Sequence, residues 1–409
     1  MELSYRVRDI KESITLKLNA KAMELAESGR HIFNLTAGQL PFRPLNEFVD
    51  LIRSELNFVR SYQYSPVAGF QDLRQKIMNY VQKSRGINFK DHDIEFSCMV
   101  SNGAKHCLSN VLGALIEPGD EIIILAPYWV SYPQMVKFCR GVPITISSNI
   151  FDVFIPSLEE IKRAISSKTK AIIINSPNNP TGTHYSDSWM KGFGELMLEN
   201  PHVNIISDEI YYELFYFDPR PTYFYHHFPQ LLSRTVIVDG ISKTLASTGL
   251  RIGYTVGPKD LIDVLTKLQG QTTSGANSLI QRALVHFDFD MVAEYLGPIK
   301  GHLRSNAQIV RENYRDYNLA HCWYQPFSAF YYMVDFTRTP LMNDYRKGPD
   351  DKEDYADQIC LDFLEKYGVA MVPGGDFGMP NAARISLVLE KEQFAEAMKI
   401  IVSALAKKL

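Results

Sequence analysis

The sequence lacks the features that would mark a membrane, secreted or nucleic-acid-binding protein. Its 43 Lys and Arg nearly balance 46 Asp and Glu, for a formal charge of -3, so nothing draws it to a polyanion or an anionic lipid surface. The five cysteines (Cys98, Cys107, Cys139, Cys322, Cys360) are odd in number and widely spaced, with no CxxC pair and no zinc-binding histidine spacing. They read as buried free thiols in a reducing compartment and not as a disulfide framework or a metal site. No apolar run approaches a membrane span, and the first thirty residues are charged and amphipathic, without the apolar core of a secretory leader. Internal repeats and low-complexity tracts are missing too. We therefore expect no metal, nucleic acid or membrane partner, and a cytoplasmic location.

What is present is a chain of 409 residues, 45% hydrophobic and 22% charged, enough for two packed domains. Helical patterns cover residues 11 to 28, 45 to 58, 69 to 84 and 104 to 116. Short, nearly continuous apolar strands follow at Glu121 to Leu125, Val142 to Ile146, Ala171 to Asn175, Val203 to Ser207, Thr235 to Val238 and Ile252 to Val256. Strands of this kind between helices predict an α/β fold with a mostly parallel sheet covered on both faces. After Gly257 helices dominate up to about Tyr317. Strands return at Ala329 to Asp335, Val369 to Val372 and Ala383 to Leu387, before a last helix at Lys391 to Lys407. The expected division is a large domain over 46–290 and a smaller α+β domain made of 1–45 and 291–409.

Ligands of such sheets bind beyond the carboxyl ends of the strands, and there the unusual residues collect. The run Thr235 to Val238 leads through Asp239-Gly240 to Ser242 and Lys243, and eight residues on stands Arg251. A desolvated lysine is a usable amine nucleophile, and an arginine fork suits a phosphate; a lysine beside a turn is also, as a rule, simply solvated. Ala171 to Asn175 runs into Ser176-Pro177-Asn178-Asn179-Pro180-Thr181-Gly182, a rigid turn with amide side chains. Val203 to Ser207 runs into Asp208-Glu209-Ile210-Tyr211. A carboxylate there needs a cationic partner, or else caps a helix. Gly103, Ala104 and Lys105 open a helix whose first amides could take a phosphate. Trp129 ends another strand, where it would stack on a flat ligand or fill a core. Gly38 ends the strand HIFNLTAG, either as a turn glycine or as a point of close approach to a ligand.

Together PYWVSYP (Pro127 to Pro133), SPNNPTG (Ser176 to Gly182), SDEIY (Ser207 to Tyr211), Ser242-Lys243, TGLRIGY (Thr248 to Tyr254) and ARISL (Ala383 to Leu387), with NLTAG (Asn34 to Gly38) and YSPVAGFQDLR (Tyr64 to Arg74), resemble the class I pyridoxal-phosphate aminotransferases. The similarity is greatest to the bacterial aspartate aminotransferase branch, which includes prephenate transaminases. The resemblance implies the fold type I of pyridoxal-phosphate-dependent transferases, with a seven-stranded sheet, and a homodimer with shared active sites. It implies that Lys243 holds the cofactor covalently and moves the proton. Asp208 would pair with the ring nitrogen, Tyr211 and Asn179 with the ring oxygen, and Trp129 would stack on the ring. Gly103, Ala104, Lys105 and Arg251 would surround the phosphate, with Tyr64 reaching it from the second subunit. Arg384 and the Gly38 amide, with Asn179 and Trp129 alongside, would take the substrate. Aspartate and glutamate with their keto acids are the expected substrates, Lys105 being the cation for the second carboxylate. Ser13 and Thr15 fall near the side-chain end, and Lys11 leaves prephenate open as an acceptor. Aromatic or aliphatic transamination, a lyase or a decarboxylase on the same scaffold are the alternatives; a transcription factor with such a domain fits the balanced charge poorly. Two departures stand out: Gly38-Gln39-Leu40-Pro41-Phe42 replaces the usual glycine-x-proline-aspartate-phenylalanine, and Gly240-Ile241-Ser242 precedes the lysine where an alanine or serine pair is common.

Overall fold

A computed structural model of the chain describes residue 4 and residues 14–217, 220, 222–348 and 351–408. Lys11 and Ser13 lie outside the described residues, and Thr15 is described only as backbone of the helix Ile14–Glu27. The strands, in chain order, are β1 (Phe33–Asn34), β2 (Phe96–Ser101), β3 (Glu121–Leu125), β4 (Val142–Ile146), β5 (Thr169–Asn175), β6 (Asn204–Asp208), β7 (Thr235–Gly240), β8 (Gly253–Pro258), β9 (Tyr331–Asp335), β10 (Val369–Ala370), β11 (Val372–Pro373) and β12 (Ala382–Ser386).

Strands β2 to β8 form one seven-stranded sheet in the order β2-β8-β7-β6-β5-β3-β4. The isoleucines and valines of β3, β5, β6 and β7 are buried, as expected of β-branched runs with helices on both faces. Only β8 runs against the others, antiparallel to both β2 and β7. The reason is local: a parallel return needs a full crossover. The link after β7 holds only one helical turn, Ile241–Thr244, and one 3-10 turn, Thr248–Leu250, so the chain turns straight back. The seventh strand, β2, has no bounds in the sequence reading; its Phe96-Ser97-Cys98 opening is too mixed to stand out as an apolar run.

The expected strand Val369 to Val372 is two strands. β10 pairs with β1, while β11 pairs with β12 in a three-stranded antiparallel sheet completed by β9. The chain changes sheets at Met371, so one apolar run serves two ladders. The boundary expected near Met291 is a 3-10 turn, Phe289–Met291, leading directly into the long helix Val292–Asp316, on which the last helix Lys391–Leu405 packs.

Register aligns the features that matter. Asn175 pairs with Asp208, and Asp208 with Val238, so the carboxyl ends of β5, β6 and β7 come level. The turn after β5 is tied to the segment before β9: Gly182 accepts hydrogen bonds from the Phe327 and Ser328 amides at 2.8 and 3.0 Å. Gly182 has φ +68°, and a Cβ there would collide with the Tyr331 carbonyl. Gly182→Ala should therefore lower stability by about 1–3 kcal/mol, read as a reduced denaturation midpoint with an unchanged slope in urea.

Candidate active site

Beyond these strand ends lies a cleft of about 480 Å³ whose walls include Lys243, Asp208, Asn179, Trp129, Lys105 and Arg384. Strand β7 delivers Lys243 on the single helical turn that follows it. Its Nζ donates to the Gly38 carbonyl at 2.5 Å. Burial, reinforced by the nearby positive charges of Arg384 and Arg251, brings its pKa down to about 7. A lysine so placed has a substantial neutral fraction near pH 7 and can act as nucleophile or base.

Asp208 ends β6. One carboxylate oxygen accepts from the Tyr132 hydroxyl at 2.5 Å and the other from the Ile210 amide at 3.3 Å. Burial outweighs these bonds, and with the negative charges of Asp239 and Glu209 nearby its pKa rises to about 6. No cation is bonded to it among the described residues, so the partner that a buried carboxylate requires would come from outside the chain. Asn175, at the end of β5, donates to the Asp208 carbonyl at 2.9 Å and accepts from the Asn179 amide at 2.9 Å. Asn179 in turn donates to the Tyr211 hydroxyl at 3.3 Å, and that hydroxyl lies 3.3 Å from the Tyr331 hydroxyl.

Arg384 lies in the middle of β12, between Val372 and Met333 in register. It is buried, donating to Asn179 Oδ1 at 3.2 Å and to the Thr36 carbonyl at 3.1 Å, while its Nε has no partner. A buried guanidinium that meets only neutral acceptors has a charge that an anion could answer. At the other end of the cleft Lys105 stands over the Trp129 ring, 4.8 Å from its centroid. Burial and the charge of Arg251 hold the Lys105 pKa below its ordinary value. Gly103, at φ +86°, must be bare, because a Cβ would run into the Arg251 guanidinium. It opens the helix Ala104–Leu115, whose first amides have no intrahelical acceptor.

A flat ring bearing a phosphate and a basic nitrogen fits this set of groups: cations and helix amides, a carboxylate with no cation bonded to it, and a buried amine in one cleft. The structure brings together the predicted Gly38, Ala104, Lys105, Trp129, Asn179, Asp208, Tyr211, Lys243, Arg251 and Arg384, with Gly103 packed behind Arg251. Tyr64 does not join them; it is 94% exposed, on a separate shallow depression with Gly275 and Ser278. Gly38 lines the cleft and presents its carbonyl to Lys243. Gln39, part of the departure after Gly38, accepts from the Thr248 hydroxyl at 3.1 Å and so ties that segment to the link after Lys243.

Three further residues escaped the sequence reading. Tyr132 and Asn175 carried usable signals: the first follows Trp129 by three residues, one helical turn, and the second is a polar residue ending an apolar strand, as Asp208 is. Tyr331 carried none, standing in the run Phe330-Tyr331-Tyr332. Only the pleat separates it from Tyr332, which stacks on Tyr324 at 4.5 Å.

Residues 30–401 match the family model described as aminotransferase class I and II. An aspartate aminotransferase of Geobacillus stearothermophilus is 32% identical, with 98% of each chain covered. An aspartate/prephenate aminotransferase of Nitrosomonas europaea is also 32% identical, over 99% of this chain and 100% of that one. The structure of aspartate aminotransferase from Thermus thermophilus with maleate superposes with a TM-score of 0.87 at 30% identity, covering 99% of this chain and 100% of the other.

The depressed pKa of Lys243 links the site to stability. Between about pH 7 and 10.5 the unfolded chain holds a proton on this amine that the folded chain has released, so its contribution to stability rises with pH across that window. Below about pH 7 the folded state must charge the buried amine and bears the full cost. In protein freed of ligands, Lys243→Met should melt above the wild type at pH 6 to 7, with an advantage that shrinks toward pH 10; a thermal-melt series against pH reads this directly.

Proposed function

The chain belongs to the class I and II aminotransferases, and we propose that it binds pyridoxal phosphate at Lys243 and exchanges amino groups between aspartate or glutamate and their 2-keto acids. The observation that carries the reading is the pairing in one cleft of a near-neutral buried lysine with a buried arginine whose Nε is unpartnered. When bound, the cofactor supplies an aldehyde and an electron-withdrawing ring that accepts the electron pair released at an amino acid's α-carbon.

The rest is done by side chains of this protein. Lys105, Arg251 and the first amides of the helix Ala104–Leu115 hold the phosphate, and Trp129 covers one face of the ring. Asp208, kept in place by the Tyr132 hydroxyl and the Ile210 amide, holds the proton on the ring nitrogen. Tyr211 and Asn179 bond the ring oxygen. Arg384 takes the substrate α-carboxylate in a bidentate fork and fixes the α-carbon where Lys243 can remove and return its proton. Lys243, Asp208 and Arg384 are buried, which strengthens their interactions with a bound ligand, while Lys105 and Arg251 stand at the solvent side of the cleft. Residues 46–290 form the cofactor-holding unit in this reading, and 1–45 with 291–409 bring Gly38 and Arg384 to it.

A dicarboxylic substrate is supported by the names of the relatives and by maleate, itself a dicarboxylate, in the Thermus structure. Lys105 is the cation within the cleft besides Arg251 and Arg384 that a second carboxylate could meet. The exposed apolar side chains of Phe58, Val59, Tyr62 and Tyr64 suit a C2 dimer in which Tyr64 reaches the phosphate of the neighbouring subunit.

Two experiments test this. Assayed with a panel of amino donors against 2-oxoglutarate, the wild type should prefer acidic donors. Lys105→Ala should cost aspartate ~1.5 to 3 kcal/mol of transition-state binding, about tenfold to a hundredfold in kcat/KM, beyond the loss it causes for alanine or tyrosine, which reports the phosphate contact alone. Equal losses would assign Lys105 to the phosphate alone, and a wild type preferring neutral donors would refute the substrate class. Light scattering should give a dimer, and a stable, fully active monomer would refute the shared site.

A further inference from the structure

Behind the cleft lies a buried charge cluster that the chemistry above does not use. Arg85, the last residue of the helix Gln71–Arg85, is fully buried. Its Nε donates to Glu209 Oε2 at 3.1 Å and its Nη2 to Asp239 Oδ2 at 2.5 Å, with Nη1 on the Ser84 hydroxyl at 2.9 Å. The guanidinium lies 3.9 Å from the centroid of the Tyr212 ring. Each carboxylate has its own neutral donors: Ser207 at 2.8 Å and Tyr225 at 3.3 Å on Glu209, Tyr254 at 3.1 Å and the Gly240 amide at 2.6 Å on Asp239. The backbone is pinned as well, since the Arg85 carbonyl meets His226 Nε2 at 2.6 Å.

The places of the two carboxylates in the chain give the cluster its meaning. Glu209 directly follows Asp208 at the end of β6, and Asp239 lies in β7, four residues before Lys243. Charges removed from water contribute little net stability, because desolvation offsets their attraction. A planar fork spanning two carboxylates, however, fixes their separation in a way that a lysine ammonium cannot. Both carboxylates also act on Asp208, whose affinity for a proton they raise, and Arg85 is the cation bonded to them.

We propose that Arg85 is a positioning residue for the reaction: the ladder sets the distance between β6 and β7, and the bridge from Glu209 to Asp239 locks the chain where it leaves them, and with it the placement of Asp208 relative to Lys243. This rests on the reading of Lys243 and Asp208 given above. The test loads Arg85→Lys, Asp239→Asn and the double variant with pyridoxal phosphate. It then measures kcat and KM well below the melting temperature, the cofactor's binding isotherm, and the pH at which the visible absorption of the bound cofactor changes. Arg85→Lys should lower kcat on the order of tenfold to a hundredfold, the scale of a small misplacement at a reacting centre. KM and cofactor affinity should change less than about threefold, because Arg384 and the phosphate end are untouched, and the absorption midpoint should move. Since both substitutions cut the same bridge, the double variant should be no worse than the poorer single one. Should Arg85→Lys not fold, Asp239→Asn, which alters only the β7 arm, carries the same expectation. A folded variant with a lower melting point but wild-type kcat and absorption midpoint would overturn the proposal, as would strictly additive losses. Lys243→Ala separates the layers: if it is inactive while the bridge variants behave as wild type, this proposal alone fails, and if it turns over, the reading beneath fails as well.

Discussion

A charge taken out of water raises the free energy of a fold unless something answers it. The cleft holds three such groups, Lys243, Asp208 and Arg384, and among the described residues none is hydrogen-bonded to a group of opposite charge. Each meets a neutral dipole instead: the Gly38 carbonyl, the Tyr132 phenol, the Thr36 carbonyl with the Asn179 amide oxygen. The fold sustains this because β5, β6 and β7 end level and are stiff, buried and paired on both sides. Groups held away from their preferred protonation states respond to a ligand carrying complementary charge, which is the condition for acid and base chemistry near pH 7.

How much of this was legible in the sequence depended on distance along the chain. Asp208, Lys243, Asn179 and Arg251 were readable because each stands within a few residues of an apolar β-run, and the run itself announces where the strand ends. Arg384, in the middle of its strand and not at an end, came only from the resemblance carried by ARISL, and its register against Val372 and Met333 needed the antiparallel pairing of β11, β12 and β9. Arg85 left no such trace. Its partners are 124 and 154 residues away, and at the end of an amphipathic helix an arginine is the residue expected to face solvent near the helix's negative pole. The split of Val369 to Val372 failed for a related reason: an apolar run reports burial, not which ladder each residue joins.

The two ends of the cleft also differ in how their charge is handled. Around Lys105 and Arg251 like charges are brought together and left for an anion to neutralise. Around Asp208 the surplus is negative, and Arg85 already answers Glu209 and Asp239. The cleft thus draws its charged groups from different elements, Lys105 from the helix Ala104–Leu115, Asp208 and Lys243 from the ends of β6 and β7, and Arg384 from β12.

The reversal of the chain between β7 and β8 makes the segment from Ile241 to Ile252 a ruler. Both its ends are clamped, because Gly240 and Gly253 face each other in the same ladder, and Lys243 and Arg251 are marks on it. An inserted or deleted residue could not be absorbed by sliding either strand, since a slip of one position would turn every side chain of β8 to the opposite face of the sheet. Side chains along this segment are free to vary wherever they meet solvent, but its length is not: it sets the distance between Lys243 and Arg251, the two residues to which the proposed function gives the cofactor's covalent bond and its phosphate.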